Sequence, residues 1–230
     1  MQPEYAGVRA VGFDLDGTLA DTHIDYLQLC RWVEEHLLAA GVPEEAFDSS
    51  FGPKLRLDDG KHWLTACGRG AEAETLTTAY NRFSQDLEMS TSNLDRVTAF
   101  PGTAELLDQL KSRHIPFGIL TQGSRIYAET MLDRIGLRNR VGTLITRDDY
   151  PPDEAKPAAA ALGHLASRLG TVPADLLYTG DLKIDLLTAR SAGARFVAVS
   201  SGDIDTDTWR KIDPAVTVLP YATGITDLLF

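Results

Sequence analysis

Residues 11–19 read Val-Gly-Phe-Asp-Leu-Asp-Gly-Thr-Leu, an apolar run that ends in two carboxylates, Asp14 and Asp16, followed at once by Gly17 and Thr18. Further along stand Thr121-Gln122-Gly123, then Lys156-Pro157, then Gly180-Asp181-Leu182-Lys183-Ile184-Asp185. Each has an ordinary explanation when taken singly. Asp-Gly makes turns, Asp and Thr cap helices, and a lysine ahead of a helix is commonplace. Taken in this order, each behind a strand-like segment, four carboxylates, a hydroxyl and a lysine suit phosphoryl transfer, which is chiefly positioning and charge stabilisation. A hard cation such as Mg2+ takes one or two carboxylates together with phosphate and water, and Asp14 and Asp181 could supply them. One carboxylate can attack phosphorus as a nucleophile. A second acid among like charges can keep a proton at neutral pH and hand it to a leaving alcohol; Asp16, displaced by the turn that Gly17 permits, suits that role. Lys156 would neutralise negative charge, while Thr121 and the amides opening the next helix would hold phosphate oxygens.

The elements that must position these groups follow from hydrophobic periodicity. Residues 8–13 form a short buried strand, and from Thr22 to about Ala40 apolar residues recur at three- and four-residue spacings, as in a helix. Residues 41–63, rich in Gly, Pro and Asp, read as loops and short turns. Leu64 to Ser90 reads as helix with a break near Gly68 and Gly70. From Phe100 onward strands alternate with helices. The strands are at 115–121, 141–146, 174–181, 195–200 and 217–220. Helices are expected from the Pro101-Gly102 start, over Gly123–Ile135 with Gly136 as C-cap, over Pro157–Leu169 with Pro157 in the first turn, over Ile184–Ala192 and at the C-terminus. This is the pattern of βαβ units on a parallel sheet, whose ligands bind beyond the carboxyl ends of the strands. The expected fold is α/β, a Rossmann-like doubly wound parallel sheet from residues 1–19 and 98–230. A helical domain without strands, residues 20–97, is inserted after the first strand.

Composition narrows the partners. The 230 residues carry a net charge of −11, from 33 acidic against 22 Lys plus Arg, which disfavours a nucleic-acid or anionic membrane surface. A local lysine or metal ion can still recruit a small anionic phosphorylated metabolite. Cys30 and Cys67 form no metal-ligand pattern, and a reducing, cytoplasmic setting is the expectation. No leader pattern opens the chain and no 18-residue uncharged apolar run occurs. No segment specifies monomer or homodimer.

With Phe13-Asp-Leu-Asp-Gly-Thr-Leu19, Thr121 with Gly123, Lys156, and Gly180-Asp-Leu-Lys-Ile-Asp185 in this order, the chain resembles the haloacid dehalogenase-like (HAD) hydrolase superfamily, specifically its phosphoglycolate phosphatase-like members with a helical cap. The resemblance spans nearly the whole chain. It implies that Asp14 is nucleophile and Mg2+ ligand, and that Asp16 is general acid/base and binds the metal through its backbone carbonyl. It further implies that Thr121 and Lys156, with Gln122 and Gly123, bind the phosphoryl group, and that Asp181 ligates the metal with support from Asp185. Gln122 stands where most relatives carry Asn. The dehalogenases of the fold carry Tyr at the position of Asp16, and the hexose-phosphate mutases a His at that of Tyr26. Both readings are thereby lowered, and a phosphosugar mutase or a catalytically silent binding member stands as the alternative. Substrate choice is expected in the cap, where Lys54, Arg56, Lys61, His62 and Arg69 form a basic stretch that is more readily a solvated surface. Arg125 is the stronger candidate for the mouth of the active site. Cys67 is expected to pack in the cap, and Trp32 and Trp63 to serve as core or interface aromatics.

Overall fold

The structure, a computed structural model, describes residues 3–49, 52–90 and 94–230. Two compact units emerge, one of Met1–Thr22 with Asp95–Phe230, the other His23–Leu94. The first unit is built on a six-stranded sheet of β1 (Ala10–Phe13), β4 (Phe117–Leu120), β5 (Thr143–Ile145), β6 (Leu176–Gly180), β7 (Arg195–Val199) and β8 (Thr217–Leu219). All pairings are parallel, and the order is β5-β4-β1-β6-β7-β8. The chain therefore builds outward from β1 to one side through β4 and β5, then crosses to the other through β6 to β8. That reversal is the topological switch point at which open α/β sheets bind ligands. β1 is buried along its whole length, as a central strand covered on both faces must be.

Helices α4 (Thr103–Ser112), α5 (Arg125–Arg134), α6 (Ala159–Arg168) and α7 (Lys183–Ala192) supply the crossovers. The fit is close where α6 meets the sheet: a Cβ at Gly12 would lie 2.7 Å from Leu165 Cδ2, and one at Gly118 2.9 Å from Leu165 Cδ1. A larger residue at either glycine would push the helix away. Leu120, Ile145, Leu162, Leu165, Leu176 and Tyr178 belong to the same buried cluster.

The structure revises several sequence expectations. The first insert helix, α1 (Tyr26–Ala39), starts at Tyr26 rather than Thr22, because Ala20–Asp21 is a short strand, β2, and Asp25 caps the helix by accepting from Gln28 N at 2.9 Å. β2 pairs antiparallel with β3 (Thr98–Ala99), so the stretch expected to lack strands begins in one, and its partner strand follows directly after residue 97. Two residues each are too few to show alternation. The larger correction falls on 41–63, where α2 (Pro53–Ala66) occupies what reads as loop. Pro53 opens that helix, and its buried residues Pro53, Leu57, Gly60 and Leu64 form one stripe. Gly60 is in the stripe because Leu37 fills the space: a Cβ there would lie 2.2 Å from Leu37 Cδ2. Helix α2 ends at Ala66, Gly68 has φ +75°, and α3 (Gly70–Glu88) follows, so the break falls where the glycines place it. Pro157 lies outside its helix, since α6 begins at Ala159 behind a cis Lys156–Pro157 bond. Helix α8 (Thr206–Ile212) has no sequence counterpart above; it is two turns capped by Asp205, with Trp209 fully buried and its Nε1 donating to Val199 O at 3.1 Å. The chain closes with α9 (Ile225–Leu229).

The second unit is a helical cluster of Leu29, Val33 and Leu37 from α1, Leu57 and Leu64 from α2, and Ala73 and Tyr80 from α3. Trp32 stacks on His36 at 3.7 Å and on Phe83 at 5.4 Å, and Trp63 packs against the same cluster. Cys67, expected to pack, is exposed at the C-cap of α2, where the chain turns away from the core. Among the described residues, no helix is long and apolar enough to cross a membrane.

Candidate active site

The residue after β1 is Asp14, whose amide still pairs with Thr179 O at 2.9 Å. The chain then turns sharply. Gly17 takes φ +72°, Leu19 and Ala20 donate to Leu15 O at 3.0 and 3.1 Å, and Leu15 is fully buried beneath the turn. A positive φ is natural for Gly and strained for most other residues. Beside it, β4 delivers Thr121, held to the β5 edge by donation to Ile145 O at 3.0 Å, and β6 delivers Asp181. The segment after β5 delivers Lys156, and α7 supplies Asp185 from its first turn.

These side chains converge and are almost fully buried. Lys156 is 2% exposed, and its Nζ donates to Asp14 Oδ1 and to Asp185 Oδ1, each at 2.7 Å. Asp185 also accepts from Tyr178 OH at 3.2 Å and from Leu182 N at 3.1 Å, so both of its oxygens are satisfied. Among the described residues nothing donates to the second oxygen of Asp14. Asp16 accepts from Tyr127 OH, lies 3.5 Å from Thr121 Oγ1, and is bonded by the Thr22 side chain. Thr121 Oγ1 accepts from Gly123 N at 3.0 Å, and Gln122 Nε2 donates to Lys156 O at 3.1 Å, tying the lysine segment to the loop that opens α5. Asp181 accepts from Thr18 Oγ1 at 3.3 Å. It is wedged between glycines: a Cβ at Gly17 would lie 2.2 Å from Asp181 Oδ2, and one at Gly202 1.9 Å from it.

Burial dominates the electrostatics. Removal from water raises Asp14; Lys156 opposes this, while Asp185 and Asp16 add to it, leaving its pKa at about 7. Asp16 is raised by burial against the bonds from Tyr127 and Thr22. Asp181 is driven well above the carboxylate range by burial and by Asp14, Asp185 and Asp16 around it. For Lys156 burial acts downward, yet Asp14 and Asp185 outweigh it and hold the ammonium charged far into the alkaline range. One buried cation thus faces a surplus of carboxylates, which points to a missing positive charge. Asp14, Asp181 and Asp185 offer oxygens that all lie within 4.8 Å of one another. An all-oxygen donor set of this kind fits a hard divalent cation such as Mg2+.

The sequence model of the haloacid dehalogenase-like hydrolases matches residues 11–199. The chain belongs to this family. Among similar proteins, phosphoglycolate phosphatase of Chromobacterium violaceum is 30% identical over 203 residues, covering 87% of this chain and 89% of that protein. N-acetylmuramic acid 6-phosphate phosphatase of Pseudomonas putida is 28% identical, covering 86% and 85%. Among solved structures, a hydrolase from Pseudomonas syringae superposes with a TM-score of 0.67 at 25% identity, over 96% of this chain and 97% of that one. The HAD hydrolase described here is an enzyme of the phosphoglycolate phosphatase-like branch.

The sequence singled out Asp14, Asp16, Thr121, Gln122, Gly123, Lys156, Asp181 and Asp185, and the fold gathers them at the switch point. The expectation that Asp16 meets the metal through its backbone carbonyl leaves its side chain free for other partners. The Asp16 carboxylate is taken by Tyr127 and Thr121, and it is not among the three carboxylates that cluster. The guanidinium of Arg125, expected at the mouth of the site, binds the Asp149 carboxylate with contacts down to 2.5 Å, and also Glu129 and Leu144 O, and so braces α5 against the segment after β5. Of the basic stretch, Lys54 pairs with Asp58 at 2.6 Å, Arg56 with Glu34, and Arg69 with Glu72 at 2.5 Å, all within the helical unit. Lys61 is half-buried and His62 exposed in α2. The sequence did not mark Tyr127, Thr18, Tyr178 or Gly202. An aromatic in a helix or strand reads as core, and Gly202 is separated from Asp181 by a whole βα crossover.

Proposed function

We propose that this HAD hydrolase is a Mg2+-dependent phosphomonoesterase that acts on a small anionic phosphorylated metabolite through an aspartyl-phosphate on Asp14. The observation that carries the reading is Asp14 itself, a buried carboxylate with one oxygen fixed by Lys156 and the other uncommitted. That second oxygen attacks phosphorus, and the bond from phosphorus to the leaving oxygen breaks. The alkoxide leaves with the proton of Asp16, whose carboxyl burial keeps protonated above the usual range. Asp16 then takes a proton from water, whose oxygen attacks the phosphoaspartate, releasing phosphate and restoring Asp14. Lys156, the Thr121 hydroxyl and the amides opening α5 hold phosphoryl oxygens. Mg2+, held by Asp14, Asp181 and Asp185 with help from the Asp16 backbone, would neutralise charge on the phosphoryl group as it transfers.

The names of the similar proteins favour phosphoglycolate or a sugar phosphate as substrate class. We assign the choice between them to a cap formed by the helical residues 20–97, and the working compartment to the cytoplasm, in keeping with two free cysteines. The test is phosphate release from p-nitrophenyl phosphate, 2-phosphoglycolate, hexose 6-phosphates and nucleotides, with Mg2+, with EDTA, and with Asp14→Asn. Turnover that requires Mg2+ and vanishes in the variant is expected. Absence of release from every phosphate in the panel overturns the reading.

A further inference from the structure

The strongest feature outside the motif residues is Tyr127. Its side chain is 1% exposed, sits in the first turn of α5, and donates its phenolic hydrogen to Asp16 Oδ1. Three neighbours fix the ring. Gly123 leaves room for it, since a Cβ there would lie 2.5 Å from Tyr127 Cδ1 and 3.0 Å from its Cε1. Ser124 caps the helix and accepts from Tyr127 N at 3.3 Å, holding the backbone from which the ring projects. Thr121 Oγ1 donates to the other oxygen of the same carboxyl, Oδ2, in a long contact of 3.5 Å that leaves Oδ2 the more weakly held of the two. The glycine of the Thr121-Gln122-Gly123 loop thus does two things: its amide bonds Thr121 Oγ1 at 3.0 Å, and its missing side chain admits the tyrosine.

We propose that Tyr127 is a positioning residue for proton transfer by Asp16, an inference that rests on the acid/base role proposed above. While the phenol donates to Oδ1, that oxygen is occupied as an acceptor, and the proton that Asp16 delivers sits on Oδ2. Tyr127 thereby selects which oxygen carries the proton and fixes the carboxyl against rotation. Its influence passes through Asp16, the carboxyl its hydroxyl bonds. Proton transfer weakens quickly when donor and acceptor are misaligned, so loss of the phenol should be felt most where the leaving group needs the proton most.

That dependence provides a readout that a merely structural role would not move. Tyr127→Phe removes one hydroxyl and keeps the ring in place. It should be compared with wild type on p-nitrophenyl phosphate and phenyl phosphate, of similar shape but with a good and a poor leaving group, using the full-length enzyme with Mg2+. The quantity to compare is kcat/KM, which reports the step that expels the leaving group. The expected result is a loss of about tenfold on phenyl phosphate and under about twofold on p-nitrophenyl phosphate, a fraction of what a whole general acid contributes. Asp16→Asn, run in parallel, should show the same split more strongly. Equal losses on both substrates in Tyr127→Phe, or no loss on either, overturn the proposal while Asp16→Asn keeps its split. If Asp16→Asn shows no split, the acid role of Asp16 falls and the tyrosine's role falls with it.

Discussion

Replacing Lys156 by Met should make the stability of the metal-free enzyme strongly pH-dependent. Lys156 Nζ lies 2.7 Å from one oxygen each of Asp14 and Asp185, and all three groups are buried. At an effective dielectric near 20 each contact represents a gross attraction of about 6 kcal/mol, most of it offset by desolvation. Removing one partner of a buried ion pair costs about 3–5 kcal/mol, because the other charges stay behind. Met roughly preserves the volume, so packing contributes little beyond that. The loss should be much larger at pH 8 than at pH 5. A carboxylate whose folded pKa exceeds its unfolded value carries no penalty below the unfolded value and its whole penalty above the folded one. Asp14, at about 7 with the lysine present, would rise further without it, and Asp181 already lies far above its ordinary value. At pH 5 both would be protonated in the folded variant, and the loss should shrink to about 1–2 kcal/mol. Lys156 itself is charged at both pH values in wild type, since its pKa is raised, so it adds no slope of its own there. The assay is urea unfolding in EDTA at pH 5 and pH 8. The signal is fluorescence of Trp209 in a background where Trp32 and Trp63, both in the helical unit, are replaced by Phe. Equal losses at the two pH values, or none at pH 8, would refute the view that Lys156 compensates a cluster of buried negative charge.

Other tests bear on the metal and on packing. Because Asp14 titrates near 7 and Asp181 higher still, Mg2+ binding should release protons and tighten as pH rises through neutrality; titration calorimetry in buffers of different ionisation enthalpy would detect this, and a buffer-independent heat would contradict it. Gly202→Ala places a Cβ 1.9 Å from Asp181 Oδ2 and should weaken Mg2+ binding by about 10–100-fold, the range seen when groups supporting a ligand are disturbed, whereas Gly163→Ala, with nothing within 4 Å, should leave it unchanged. In the helical unit, Gly60→Ala should cost about 1–3 kcal/mol by collision with Leu37, and Leu37→Ala in the same chain should cost less there than in the wild-type background, as read from a double-mutant cycle of unfolding free energies.

The site was legible in the sequence to the extent that its chemistry restricts residue type. Asp14 and Asp16 follow β1 and Asp181 follows β6, while Lys156 lies in the segment after β5 and Asp185 in the first turn of α7. Strands β1 and β6 were legible because they are buried throughout and read as continuous apolar runs. Helix α2 was not, because Asp58, Asp59 and Gly60 in succession resemble a turn, and only the approach of Leu37 explains the glycine. The pairing of Arg125 was hidden for a related reason. Its partner, Asp149, is 24 residues away on a different segment, and only tertiary structure reveals that the guanidinium is already committed. Tyr127 was invisible because a buried aromatic in a helix is the commonest of core features; what distinguishes it is a hydroxyl that reaches a carboxylate 111 residues away.

The charges at the switch point also bear on why the site should need a cation. Fully ionised, Asp14, Asp16, Asp181 and Asp185 contribute −4 and Lys156 +1, a balance of −3 in a nearly dry site. A phosphomonoester dianion would be repelled by it. Protons alone offer a poor remedy, because the carboxylate that must stay ionised to act as nucleophile is Asp14, whose own pKa has risen to about 7. A divalent cation held by the oxygens of Asp14, Asp181 and Asp185 would change the balance to −1 and favour the ionised form of Asp14. With Asp16 keeping its proton the balance is zero. Burial favours the proton on Asp16, while the cation would oppose burial at Asp14 and keep it charged, which together is the pair of protonation states the proposed chemistry requires.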